Sequence, residues 1–202
     1  MILDEIGRTY GTDKSTLDHG YCDTYERLFE QHRDEPVNLL ELGVYKGASL
    51  LMWAEYFTHR DTHIFGVDLN ECHIDDPRVS TIQADQAAKP PIKYSLDIVI
   101  DDASHISSKT IASFQVWFPQ LKPGGLYIVE DLATSYYLGG PTESNNDPDG
   151  HVFNRYHQSS VQFLRRLADE AIGGCQPRYR LGYDLEWVTF RRNMAICKKR
   201  SL

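Results

Sequence analysis

The sequence predicts an α/β fold of the Rossmann-like kind. The expected sheet is mostly parallel and seven-stranded, with helices on both faces and one antiparallel strand near the C-terminus. Three observations predict it. Short apolar runs alternate with helical patterns, which is the rhythm of a covered parallel sheet. The first run enters a glycine-containing turn that leads into a helix. Two short β-rich runs joined by Arg191-Arg-Asn193 close the chain as a hairpin.

In chain order, residues 1–35 are polar with one helical pattern, Tyr21, Tyr25, Leu28 and Phe29, preceded by the loop Gly11 to Gly20. Asn38-Leu-Leu-Glu-Leu-Gly43 reads as a buried parallel strand, because it is nearly all apolar and ends at Gly. Ala48 to Phe57 reads as a helix, His63 to Asp68 and Val79 to Gln83 as strands, and Leu96 to Asp101 as a fourth strand. Ser107 to Phe118 reads as a helix with Ser107 or Ser108 as its N-cap. Lys122-Pro-Gly-Gly125 reads as a turn before a fifth strand, Leu126 to Glu130. Gly139 to Gly150 has loop composition, Val152 to Ala171 reads as a long helix, and Glu186–Phe190 and Met194–Cys197 are the closing strands.

A chain of 202 residues fits one domain. It divides into an N-terminal lid or helix segment (1–35) and a core (36–202) that carries a substrate-side loop at 134–155. Asp and Glu number 29 against 21 Lys and Arg, a net charge of −8. That balance argues against a nucleic-acid partner, which needs a basic surface. Cys22, Cys72, Cys175 and Cys197 form no C-x-x-C pair and read as free thiols. The first residues carry no basic leader, and no run approaches the ~18 apolar residues of a membrane helix. The expectation is a cytoplasmic protein with no membrane partner.

The first strand-to-helix turn, Glu41-Leu-Gly43-Val-Tyr-Lys-Gly47, is not the G-x-G-x-x-G of pyrophosphate binding. An acidic residue with spaced glycines suits a ligand that has no phosphate. Gly43 would let backbone pass close to it, and Glu41 could attract the cationic amino or sulfonium end of S-adenosylmethionine. Asp68 ends the second strand, where a carboxylate can accept ribose hydroxyls. Asp85 follows the third strand and is placed to meet an adenine amino group. Thr12, Lys14, Tyr45, Ser49 and Asp101 complete the expected cofactor-binding set. Thr12, Asp13, Lys14 and His19 are too polar for a core segment, so Gly11 to His19 is expected to close over the cofactor or acceptor as a lid.

The fourth strand runs into Asp101-Asp102-Ala-Ser-His105 and the fifth into Glu130-Asp131. Carboxylates at adjacent strand ends repel each other without a cation. A hard ion such as Mg²⁺ held by Asp102, Glu130 and Asp131 relieves that repulsion. Strand alternation points Asp101 away from Asp102, so it is not a ligand. His105 reaches the same crevice and can take the proton of a hydroxyl that the ion acidifies. His19, Tyr21, Tyr136 and Tyr137 are expected to line the acceptor pocket. His151 and His157 are weaker candidates for the same pocket, and His59, His63 and His73 read as surface or loop residues.

Together Gly11-Thr-Asp-Lys14, His19, Tyr21, Tyr25, Leu40-Glu-Leu-Gly-Val-Tyr-Lys-Gly47, Ile100-Asp-Asp-Ala-Ser-His105, Val129-Glu-Asp131 and Thr134-Ser-Tyr136 resemble the metal-dependent sugar O-methyltransferases of the macrocin and mycinamicin type. The methylmannose-polysaccharide 1-O-methyltransferases are similar. The match covers residues 8 to about 140. The resemblance implies a class I methyltransferase fold, S-adenosylmethionine and Mg²⁺ as cofactors, and a glycoside, oligosaccharide or glycosylated natural product as acceptor. It implies Asp102, Glu130 and Asp131 as metal ligands and His105 as general base, and a homo-oligomer, a dimer, is expected. Two competing readings are a catechol- or phenol-type metal-dependent methyltransferase and a non-enzymatic S-adenosylmethionine-binding module. His105 tilts against the first, whose sites typically use a Lys base. The second needs neither His105 nor the three carboxylates.

Overall fold

The computed structural model describes residues 2–88, 92–136, 158–174, 178 and 180–201. The strand order is β3-β2-β1-β4-β5-β7-β6 in a seven-stranded sheet. β1, β2 and β3 run parallel, as do β4 and β5, and β7 is antiparallel to both of its neighbours, β5 and β6. The expected fold class and its single reversed strand are therefore present. The chain forms two compact units, Met1–Asp85 and Gln86–Leu202.

The first unit contains α1 (Ile2–Tyr10), α2 (Cys22–Phe29), β1 (Asn38–Leu42), α3 (Ala48–Tyr56), β2 (His63–Asp68) and β3 (Val79–Gln83). Leu39, Leu40 and Leu42 of β1 are fully buried, as expected of a run apolar on both faces. Tyr25, Phe29, Trp53 and Phe57 form an aromatic cluster that joins α2 to α3, with Tyr25 edge-on to Trp53 at 5.1 Å. Helix α1 packs on α2 and α3, and its Leu3 and Ile6 are buried. It is a second helix in a segment that was expected to hold one.

The second unit contains β4 (Leu96–Asp101), α4 (Ser107–Trp117), β5 (Leu121–Val129), α5 (Ser160–Ala171), β6 (Leu185–Arg191) and β7 (Met194–Lys199). The expected turn at Lys122–Gly125 lies inside β5. Leu96 aligns with Leu121 and Ile98 with Leu126, so the four residues between bulge out of the register. The bulge is held where the Lys122 ammonium meets both oxygens of Asp97 at 2.8 Å. Phe114 of α4 anchors the core against Phe118, Tyr127 and Phe163.

Two expected helix starts differ. The N-cap of α4 is Ile106, without a side-chain cap. Ser107 instead accepts a hydrogen bond from the Ser160 amide at 2.7 Å, which ties α4 to α5. Helix α5 starts at Ser160, behind a capping box in which Ser159 and Gln162 satisfy each other's amides. Residues 152–157 of the long helix expected from Val152 lie outside the described residues, as do Cys175, His151, His157 and the Gly139–Gly150 loop. Cys22, Cys72 and Cys197 are free thiols. Among the described residues, no helix is long and apolar enough to cross a membrane.

Candidate active site

In the first unit the chain leaves β1 through a tight turn. Gly43 has φ +86 and its amide donates to the Val67 carbonyl at 2.8 Å. Tyr45 has φ +50 and is 77% exposed, with the Lys46 ammonium 5.0 Å from its ring centre. Gly47, φ +82, is the N-cap of α3, and a Cβ there would come within 2.3 Å of Ile74. Glycine is required at that position by both backbone and space. Ser49 is buried in the first turn of α3.

Asp68, at the end of β2, holds this turn. One carboxylate oxygen accepts from the amides of Val44 at 2.8 Å and Tyr45 at 2.9 Å, and the other from the Asn70 amide at 2.8 Å. Burial works to raise its pKa, but the hydrogen bonds from Asn70, Tyr45 and Val44 outweigh it and hold the carboxyl below its ordinary value. Asp85, after β3, is exposed.

Glu41 departs from the expected arrangement. Its carboxylate is fully buried, accepts from the Trp53 indole N–H at 3.0 Å, and faces the Lys14 ammonium at 3.4 Å. The negative charge assigned to a cofactor's cationic end is balanced inside the unit by Lys14, because a charge removed from water requires a counter-charge. The expectation that Gly11 to His19 is too polar for the interior fails for the same reason. Thr12, Lys14 and Ser15 are buried, while Asp13 and His19 are exposed. Tyr21 is buried too, with His19 stacked on it at 5.2 Å.

In the second unit, Asp102 and His105 follow β4, and Asp131 follows β5. Ligand atoms of these three residues all lie within 4.8 Å of one another, and each residue is half-buried. His105 Nε2 is 3.6 Å from an Asp131 oxygen. His105 and Asp131 both sit in left-handed backbone, φ +54 and +55. The Thr134 hydroxyl donates to the Asp131 carbonyl at 2.8 Å and stands 3.4 Å from the His105 carbonyl, so it links the two segments. The two carboxylates within this radius offer the oxygen ligands that a hard divalent ion takes, with the imidazole close beside them.

Glu130 lies outside that group. It is buried, and its amide donates to the Asp101 carbonyl at 3.0 Å. Asp101, expected among the cofactor contacts, is buried in the interior. Its oxygens accept from Gln86 Nε2 at 3.3 Å and the Tyr127 hydroxyl at 3.2 Å. Burial pushes the Asp101 carboxyl up to about 7, opposed by the Tyr127 and Ala103 hydrogen bonds and helped by the Asp102 charge. Gln86 also donates to Ser113 at 2.9 Å and accepts from the Ser104 amide at 3.3 Å, which braces the Asp102–His105 loop. Tyr136 accepts from Arg165 at 3.1 Å, and Tyr137 lies outside the described residues.

Two residues of the site went unread in the sequence, Gln86 and Asn193. Asn193, in the β6–β7 turn, donates from Nδ2 to Asp131 at 2.7 Å. No local pattern could reveal a partner 62 residues away.

Comparison with known proteins bears on this geometry. A methyltransferase-domain family matches residues 40–132, from β1 through the Asp131 segment. The 8-demethyl-8-alpha-L-rhamnosyl tetracenomycin-C 2'-O-methyltransferase of Streptomyces olivaceus is 38% identical over 174 residues. The mycinamicin VI 2''-O-methyltransferase of Micromonospora griseorubida is 38% identical over 151 residues. Over most of its length the chain is similar to part of each of these sugar O-methyltransferases. The alignments take in 79% and 68% of this chain but only 43% and 37% of those two proteins, so the chain spans about two fifths of its curated relatives. The solved structure of the mycinamycin-pathway methyltransferase MycE with Mg and SAH superposes with a TM-score of 0.83 at 31% identity. It covers 100% of this chain and 54% of that one. A second MycE structure, with Mg, SAH and mycinamycin VI, gives 0.80 at 32% identity over 99% of this chain and 55% of that one. The fold is that of the Rossmann-like methyltransferases.

Proposed function

We propose that this chain is an S-adenosylmethionine- and Mg²⁺-dependent O-methyltransferase that methylates a sugar hydroxyl of a glycoside, oligosaccharide or glycosylated natural product. The observation that carries the reading is the group of Asp102, His105 and Asp131 within 4.8 Å, at two strand ends of a chain related to sugar O-methyltransferases. The MycE structures, one with Mg and SAH and one with Mg, SAH and mycinamycin VI, support the same cofactors here.

When bound, S-adenosylmethionine would supply an electrophilic methyl group, and a hard ion would make the acceptor hydroxyl easier to deprotonate. The chain's residues do the rest. Asp102 and Asp131 would hold the ion, and Glu130 is proposed as a third carboxylate from its place beside Asp131. His105 takes the proton that the acceptor oxygen releases, and the Asp131 oxygen 3.6 Å from Nε2 stabilises the resulting imidazolium. In the first unit, the turn at Gly43 and Tyr45 offers backbone to the cofactor. Asp68 fixes that turn and presents its carboxylate to the ribose. Asp85, exposed after β3, remains the candidate for the adenine amino group. Glu41 and Lys14 act one layer behind, by supporting the turn. His19, Tyr21, Tyr136 and Tyr137 remain candidates for acceptor contacts, the homo-dimer a candidate assembly, and the cytoplasm the proposed compartment.

The test is methyl transfer from S-adenosylmethionine to a panel of glycosides and catechols, followed by mass spectrometry with and without chelator. Glycoside methylation that stops on chelation and returns with Mg²⁺ is expected. Transfer confined to catechols would favour the phenol-type reading, and cofactor binding without any transfer would favour a binding module.

A further inference from the structure

We infer that Asn193 is a positioning residue of the proposed metal site, acting through Asp131; this rests on the metal-dependent reading above. Asn193 lies in the two-residue turn between β6 and β7, where Arg191 pairs with Met194. Three hydrogen bonds join it to the segment after β5. Its Nδ2 donates to one Asp131 oxygen at 2.7 Å, its Oδ1 accepts from the Ala133 amide at 2.6 Å, and its carbonyl accepts from the Leu132 amide at 3.1 Å.

The direction of these bonds matters. The Asp131 oxygen bound by Asn193 is Oδ1, and the oxygen 3.6 Å from His105 is the other, Oδ2. Asn193 therefore sets which oxygen of Asp131 faces the His105 imidazole. Outer partners that orient a ligating carboxylate are a general feature of metal sites, and their loss costs about 10–100-fold in metal affinity or activity. The bond also fixes backbone at Leu132 and Ala133, next to a residue held at φ +55.

A simpler role competes. Asn193 has φ +60, and Asn suits left-handed turn positions without any function. Glycine separates the two roles. It accepts the same backbone and keeps the Leu132 contact, while both side-chain bonds vanish.

The experiment is titration of the metal-free protein with Mn²⁺, with free Mn²⁺ read by its electron paramagnetic resonance signal. Wild type, Asn193→Gly, Arg192→Gly and Asp131→Ala are compared, with thermal midpoints measured alongside. Asn193→Gly is expected to weaken Mn²⁺ binding about 10–100-fold, while Arg192→Gly, which loosens the same turn without touching Asp131, leaves affinity unchanged. Wild-type affinity in Asn193→Gly would overturn the inference and leave the metal site standing. Equal weakening in Arg192→Gly would assign the effect to the hairpin and overturn it as well. Undiminished binding in Asp131→Ala would overturn the metal reading itself and this inference with it.

Discussion

The buried Lys14–Glu41 pair gives a stability prediction that can be worked through. Lys14 and Glu41 face each other at 3.4 Å with side chains 1% and 0% exposed. Lys14→Met keeps most of the stem volume and deletes the charge, which leaves the Glu41 carboxylate buried beside Trp53 without that partner. Breaking such a pair from one side costs about 3–5 kcal/mol. For a protein of this size each kcal/mol shifts the thermal midpoint by about 2–4 °C, so a fall of roughly 6–20 °C is expected. Adding Glu41→Gln removes the stranded charge and keeps an acceptor for the Trp53 indole. The double variant should therefore cost clearly less than the sum of the two singles. Urea denaturation of all four proteins measures the coupling. A Lys14→Met cost under about 1 kcal/mol, or additive singles, would refute the argument that this pair carries a buried charge. The same pair predicts that deleting residues 1–20 unfolds the first unit rather than merely opening a lid. Circular dichroism and a thermal melt of the truncated protein decide between the two.

Further outcomes follow from the sites themselves. His105→Ala should retain Mn²⁺ binding and lose about 10²–10⁴-fold in turnover, with residual rate rising at higher pH as hydroxide replaces the base; loss of metal binding instead would make the imidazole a ligand. Asp68→Ala should weaken S-adenosylhomocysteine affinity in calorimetry, and unchanged affinity would remove Asp68 from the cofactor site. Because the Asp68 carboxyl is held below its ordinary value, its stabilising share is present above the usual carboxylate range and is lost as pH falls through the lowered folded value. The stability gap between wild type and Asp68→Asn should thus be full at pH 7 and shrink in acid, and a gap independent of pH would count against it. Gly47→Ala, with φ +82 and Ile74 in the way, should destabilise by about 1–2 kcal/mol or more in a melt.

Much of this was legible in the sequence, and for identifiable reasons. Strands β1, β2 and β4 are short apolar runs that end in Gly or Asp, so their boundaries and the residues at their carboxyl ends could be read directly. That put Asp102 and His105 at one strand end, where the structure groups them with Asp131, whereas Asp101, expected among the cofactor contacts, is buried in the interior. The failures share a cause. Lys14 reads as solvated because lysine usually is, and only the fold brings Glu41 to it. Ser107 reads as a cap, but its hydroxyl meets the Ser160 amide 53 residues on. Helix α1 was hidden because few apolar residues, Ile2, Leu3 and Ile6, mark its face in a polar segment. Asn193 looks like an ordinary turn residue until its partner is known.

Left-handed backbone at Tyr45, His105 and Asp131 also bears on how such a protein could be improved. Each non-glycine residue held there costs on the order of 1 kcal/mol, and the framework maintains that strain. Glycine would relieve it, so a laboratory selection for heat resistance alone would reward glycine at His105 and Asp131. Those are the two positions where the proposed chemistry tolerates glycine least. Thermostability gained in that way would come with loss of turnover, and a selection that preserves activity would have to look for its gains elsewhere in the fold, away from these two strand ends.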